Sequence, residues 1–278
     1  MSDCIFRIAR PSVYLHTCPD VTSEVSDELP YGTGVKRLSC TESASGGAWC
    51  RCETEYGYCG YLHEKYLEED AEPAEETLYP FMIAASFCDV LVDSLYKYRP
   101  LTTLPRSGLV YARRGELGAD RFFPILYKKR RCFVPAAALR PYRKRAAVEP
   151  EERADLRRFL CDDALSYLGA PYRWGGRTPD GIDCSGLCFT VYFMNGLPLW
   201  RDAFADKRYV HEIDKSDLLP GDLIYFKGHM ALYIGDGEYV HSSATAGGVT
   251  VNSLRPGSVI YREDLAEHIL CFARSNLL

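Results

Sequence analysis

GAPYRWGGRTPDGIDCSGLCFTVYFMNG, residues 169–196, is the stretch in which a glycine-rich turn gives way to an apolar run. Gly175, Gly176 and Gly181 punctuate the turn and Asp183 has N-cap chemistry. Gly196 and Pro198 supply stop signals, so the spacing predicts a helix over Ser185–Asn195. Upstream, Ala154, Leu156, Phe159, Leu160, Ala164, Leu165 and Leu168 recur near a 3.6-residue period, which predicts a helix over Glu151–Leu168 closed by Gly169 and Pro171. Downstream the pattern alternates strand and turn: Asp222–Phe226, Met230–Ile234, Glu238–His241, Gly248–Asn252 and Ile269–Ala273. Helices followed by an antiparallel sheet make residues 151–278 an α+β domain.

The N-terminal half reads differently. Val13–Leu15, Val35–Leu38, Ala48–Cys52 and Tyr58–Leu62 are short β signals separated by Pro19-Asp20, Gly32-Thr33-Gly34 and Ser45-Gly46-Gly47. Close, even spacing predicts a small β-barrel over residues 1–72, with a closing helical turn near His63–Leu67. Glu64–Glu76 carries seven acidic residues and suits a solvated connector. A second barrel is expected over residues 77–145 from Val90–Val92, Leu109–Tyr111, Phe122–Leu126 and Cys132–Val134, broken by Pro100, Pro105, Gly108, Gly115 and Gly118. An imperfect tandem repeat fits these two stretches. Tyr127–Arg145 has eight basic residues and no acidic one; it reads as an anion-binding patch or, preferred here, as an edge strand guarded by charge.

The composition of the 278 residues (47% hydrophobic, 26% charged) is that of a folded globular chain and excludes collagen-like and disordered classes. A net charge of −5 is too mild for a nucleic-acid partner, and no apolar run is long enough for a membrane helix. The start, MSDCIFRIARPSVYLHTC, lacks the features of a signal peptide. Twelve cysteines occur without any C-x-x-C, and Cys50 and Cys52 share a strand face, so mostly inert buried thiols in a reduced cytoplasmic protein are expected. A secreted, oxidised protein is the alternative.

Cys184 falls in the first turn of the helix capped by Asp183, where backbone N–H groups and the helix dipole favour a thiolate; its pKa is expected to fall from about 8.5 towards 7 or below. A buried structural cysteine is the bland alternative, and it is the preferred reading for Cys188, one turn on. Gly228-His229 and Val240-His241 flank an Asp236-Gly237 hairpin turn, so antiparallel pairing brings the two imidazoles together. Nucleophile, base and orienter would then be Cys184, His229 and His241. A closed zinc site of Cys184, Cys188, His229 and His241 is the other chemical reading, without the usual short ligand spacing.

Ala170-Pro171-Tyr172-Arg173-Trp174-Gly175-Gly176, Asp183-Cys184-Ser185-Gly186-Leu187, Leu219-Pro220-Gly221-Asp222-Leu223, Gly228-His229 and Val240-His241 together resemble the NlpC/P60 family of cell-wall cysteine peptidases, over about Asp155 to Ala273. Gly57-Tyr58-Cys59-Gly60-Tyr61-Leu62-His63-Glu64-Lys65-Tyr66-Leu67 resembles bacterial SH3 (SH3b) modules. The resemblance implies two small all-β SH3-like barrels before an α+β papain-like peptidase domain. It also implies Cys184 as nucleophile, His229 as general base, His241 as its orienter, and Tyr172 with the Cys184 N–H at the oxyanion. The order of modules resembles the γ-D-glutamyl-L-diamino acid endopeptidases of murein-peptide recycling. That branch implies a pocket for a free L-Ala amine, with Asp183 and Ser185 matching its catalytic side and Tyr58 and Glu28 as candidates from the first barrel. The loop Leu199-Trp200-Arg201-Asp202-Ala203 departs from relatives that are expected to place a serine near Ala203. The implied partner is a murein peptide, with no metal, organic cofactor, nucleic acid or membrane. An exported endopeptidase acting on intact wall, an inactive binding protein and an acyltransferase are the rival readings.

Overall fold

Short strands with one apolar face build the first of two units, Met1–Tyr142; the second is Arg143–Leu278. The computed structural model describes residues 5–42, 47–69, 78–94, 99–113 and 121–278. Ser45 and Gly46 of the expected turn, Asp70–Glu76 of the expected acidic connector, and the breaks at Gly115 and Gly118 lie outside the described residues.

In the first unit, β1 (Ile5–Ile8), β2 (Ser12–His16), β3 (Val25–Pro30), β4 (Gly34–Glu42), β5 (Ala48–Thr54), β6 (Cys59–His63) and β7 (Leu67–Glu69) form one antiparallel sheet, ordered β3-β2-β6-β5-β4-β1-β7. Ile8, Val13, Leu15, Leu29, Val35, Cys50, Cys52 and Leu62, drawn from six of these strands, meet in one core. Burying each large side chain contributes about 1.5–3 kcal/mol, which is what curls the sheet around them. The expected closing turn is a 3₁₀ turn over Glu64–Tyr66.

A second core, including Phe81, Ile83, Val90, Leu104, Val110, Phe123, Ile125 and Val134, sits under β8 (Leu78–Ile83), β9 (Phe87–Val90), β10 (Thr102–Pro105), β11 (Leu109–Arg113), β12 (Phe122–Tyr127), β13 (Arg130–Pro135) and β14 (Leu139–Pro141). The main sheet runs β13-β12-β11-β8-β14. The basic run therefore falls on both of its edges, β13 and β14, where charge opposes unwanted pairing. Lys128 and Lys129 both take positive φ (48° and 61°) in the β12–β13 turn.

One expectation about the cysteines is corrected. The β4–β5 register sets Cys40 directly opposite Cys50, and the two form a disulfide. Cys52, on the same face as Cys50, keeps a buried thiol.

The second unit opens with α1 (Pro150–Leu165), whose N-terminal Pro150 needs no hydrogen-bond partner. It stops three residues short of the expected end because Ser166–Gly169 turns away, with Gly169 at φ +81°. A two-residue hairpin, β15 (Arg177–Thr178) and β16 (Gly181–Ile182), leads into α2 (Cys184–Met194). Then follow β17 (Val210–Ile213), β18 (Leu223–Phe226), β19 (His229–Gly235), β20 (Glu238–Ser243), β21 (Gly248–Ser253), α3 (Glu263–Ala266) and β22 (Ile269–Ser275). The sheet is antiparallel, ordered β17-β22-β18-β19-β20-β21. β17, absent from the sequence pattern, pairs with β22. Asp222 is wholly buried yet paired, at 2.9 Å from Arg157 on α1 and 2.7 Å from Arg274 on β22, so one carboxylate joins helix to sheet. Asp236 (φ 49°) and Gly237 (φ 72°) make the tight β19–β20 turn expected of Asp-Gly.

Candidate active site

Every residue of α2 is buried, so its first turn is held by what surrounds it rather than by helix propensity. Asp183 caps it from an extended conformation (φ −92°, ψ 178°) and accepts hydrogen bonds from the N–H groups of Gly186 at 2.5 Å and Gly175 at 2.7 Å. Gly186 is needed for close approach: a Cβ there would lie 2.2 Å from the Gly176 carbonyl oxygen. Ser242 on β20 donates to the Ile182 carbonyl, tying the loop before Cys184 to the sheet.

Arg201 completes this frame. Its guanidinium, 1% exposed, reaches both Asp183 oxygens at 3.2 Å, Ser185 Oγ at 2.9 Å and the Gly175 carbonyl at 3.0 Å. Asp183 therefore has two backbone N–H groups, the Ser185 hydroxyl and Arg201 on its two oxygens. Asp183, expected as the anchor of a substrate amine, and Ser185, expected beside it, both belong to this network. The frame was not foreseen, because a loop arginine is ordinarily read as solvent-exposed.

Cys184 sits at the start of α2 with its sulfur within hydrogen-bonding reach of the backbone of Met230, the residue after His229. Burial pushes the thiol up to about 11, the Asp183 charge adds to this, and hydrogen bonds from the Met230 and Ser185 backbone together with Arg201 oppose it. The expected fall towards 7 is thus corrected: at this position burial outweighs the helix end. Tyr172 is half-buried, and its hydroxyl is pushed up to about 12 by burial and then by the neighbouring Cys184. Cys188, fully buried one turn along, is a core thiol.

The two histidines meet as expected. His229 Nε2 lies 2.7 Å from His241 Nδ1, with the rings edge to face. His241 Nε2 lies 2.8 Å from Asn252 Oδ1 on β21. Burial lowers both imidazoles; His229, further lowered by His241, falls to about 3. At neutral pH the resting pair is a thiol and a neutral imidazole. Among the described residues no three His, Cys, Asp or Glu side chains converge as a metal site, so the zinc reading has no cluster to support it.

Glu28 and Tyr58 lie in the first unit. Glu28 is buried on β3 opposite Tyr14, and Tyr58 packs against the first core with its N–H on Thr54 Oγ1 at 2.9 Å. Among the described residues, no helix is long and apolar enough to cross a membrane.

The NlpC/P60 family model matches residues 169–265, a span that contains Tyr172, Asp183, Cys184, Arg201 and both histidines. The chain is 32% identical to the dipeptidyl-peptidase 6 of Lysinibacillus sphaericus over 92% of this chain and 93% of that protein. It is 29% identical to a γ-D-glutamyl-L-lysine dipeptidyl-peptidase of Bacillus cereus over 74% of this chain and 62% of that one. A crystal structure of an NlpC/P60 family protein from Bacillus cereus superposes with a TM-score of 0.75 at 21% identity, covering 99% of this chain and 100% of the other, which is a likeness of fold.

Proposed function

Since the chain belongs to the NlpC/P60 family of cysteine peptidases, we propose that it hydrolyses the γ-D-Glu–diamino acid bond of free murein peptides bearing an N-terminal L-Ala. The observation that carries this reading is the His229–His241 pair on β19 and β20, with Cys184 at the start of α2, its sulfur held by the backbone of Met230, the residue after His229. The names of the two dipeptidyl-peptidase relatives support the substrate class. The N-terminal strands are read here as two SH3-like modules over residues 1–72 and 77–145, before a peptidase domain over 151–278.

In this mechanism His229 takes the Cys184 proton as sulfur bonds to the γ-carbonyl carbon. The Tyr172 hydroxyl and the Cys184 N–H stabilise the oxyanion. Collapse breaks the C–N bond, and His229 passes its proton to the departing amine. Water then attacks the thioester with His229 again as base, releasing L-Ala-γ-D-Glu and restoring the thiol. No metal or organic cofactor takes part. Asp183 fixes Cys184 as the helix cap, and the same carboxylate is read here as an anchor for the substrate amine.

The test is cleavage of L-Ala-γ-D-Glu-L-Lys against its N-acetylated form. A buried ammonium pocket rejects an acylated amine, so the free peptide should be cleaved at least tenfold faster; equal rates would remove free-amine recognition. A second reading, an exported enzyme acting on intact wall, is favoured by the Cys40–Cys50 disulfide, a bond that persists in oxidising compartments. Faster release from sacculi than from free peptide would select it over the cytoplasmic recycling enzyme.

A further inference from the structure

The histidine pair does not end at His241. Asn252 Oδ1 lies 2.8 Å from His241 Nε2, and Asn252 Nδ2 lies 2.8 Å from the carbonyl oxygen of Ile260. A carbonyl oxygen only accepts, so the amide must turn its NH2 towards Ile260 and its oxygen towards His241. That oxygen also only accepts, so His241 Nε2 must carry a proton. In a neutral ring Nδ1 is then bare, and it must accept from His229 Nε2–H across 2.7 Å. One nitrogen of His229 remains able to take a proton: Nδ1. A peptide carbonyl of the 253–261 loop thus dictates, through three hydrogen bonds, which nitrogen of the base is basic.

We propose that Asn252 is a positioning residue that locks the tautomers of the His229–His241 relay and thereby leaves Nδ1 of His229 as the catalytic base. The strand register supports this. Thr250 lies opposite His241 in the β20–β21 pairing, and Asn252, two residues on, shares its face. Ser253 N–H also donates to the Ile260 carbonyl at 3.1 Å, which fixes that oxygen independently of Asn252. Without an acceptor at position 252, His241 is at liberty to hold its proton on Nδ1. It would then offer His229 a donor, the His229 proton would shift to Nδ1, and the base would be blocked. The proposal rests on Cys184 and His229 acting as nucleophile and base, and it is independent of which peptide is cleaved.

Two substitutions separate positioning from support. Asn252→Leu keeps volume and removes both hydrogen bonds; Asn252→Asp keeps an acceptor on His241 and adds charge, and loses the donor to the Ile260 carbonyl, which keeps Ser253 N–H. Orienting partners of this kind are worth about 10–100-fold, so N252L should lower kcat on L-Ala-γ-D-Glu-L-Lys by that factor with KM changed less than about twofold. N252D should recover activity to within about fivefold of the parent and move the acidic limb of the pH profile up by about one unit, as a carboxylate beside an imidazole does. The charged and titratable groups already facing the relay are Arg262, Asp264 and Tyr239 at His241, and Arg262 and Asp183 at His229; all stay unchanged in both variants. The pH dependence of iodoacetamide labelling, read at Cys184 by peptide mass mapping, gives the same comparison without a substrate. If the parent labels at Cys184 with a sigmoid profile but cleaves no peptide, the substrate assignment fails and Asn252 is still decided by labelling. Unchanged kcat and labelling in N252L, or equal losses in N252L and N252D with unshifted profiles, would overturn the proposal.

Discussion

Replacing Arg201 with methionine should destabilise the second unit. The methionine keeps most of the length and loses the charge. Removing one partner of a buried ion pair costs about 3–5 kcal/mol, because the other charge stays buried. Asp183 retains Gly175 N–H, Gly186 N–H and the Ser185 hydroxyl, so the lower end, about 3 kcal/mol, is expected. With a urea m-value of about 2 kcal/mol/M, the midpoint should fall by about 1.5 M. Arg201→Lys keeps the charge without the planar fork and should fall between the two. Pulsed alkylation of Cys188, fully buried in α2, reports this unit apart from the first. Pairing R201M with Asp183→Asn in a double-mutant cycle should return a coupling of about 2–3 kcal/mol. The same loss removes a charge that holds the Cys184 thiol down, so labelling at Cys184 should slow at fixed pH. A loss below about 1 kcal/mol with unchanged labelling would show that Arg201 does not hold the turn that carries Cys184.

Two further outcomes follow from the same geometry. Burial lowers both His229 and His241, His229 to about 3, so below about pH 6.5 the unfolded chain binds more protons than the folded one; stability is full above 6.5 and declines as pH falls, for His229 down to about 3. Each histidine contributes up to about 1.4 kcal/mol per pH unit, and His229→Asn should flatten the decline measured by urea titration by about that slope. Gly186→Ala would force a Cβ to 2.2 Å from the Gly176 carbonyl oxygen; a loss of about 1–3 kcal/mol in thermal unfolding is expected, with slower Cys184 labelling, and an unchanged melting temperature would contradict the approach described.

The parts of the site legible in the sequence are those governed by local rules. Asp183 before an apolar run announces a helix start, and Asp236-Gly237 between two histidine-bearing strands announces the pairing that joins His229 to His241. What escaped was set by tertiary surroundings. Nothing in Leu199-Trp200-Arg201-Asp202 distinguishes an arginine that will be enclosed from one that will be solvated. Asn252 looks like any polar residue near a strand end until β21 is laid beside β20. The Cys184 thiol was expected to be acidic because the helix end is visible in the sequence, whereas the depth of its burial is not. Cys40 and Cys50 required the β4–β5 register, which a bulge between Arg37 and Ser39 shifts beyond simple counting.

The enclosure of α2 bears on how the protein ages. A helix with no wet face does not fray by itself; baring its amides means dismantling β19 and β20 around it, so their exchange with deuterium should track complete unfolding of the unit. A peroxide or an alkylating drug then meets a sulfur on a residue only 8% exposed, and slow chemical wear at Cys184 is the expected consequence.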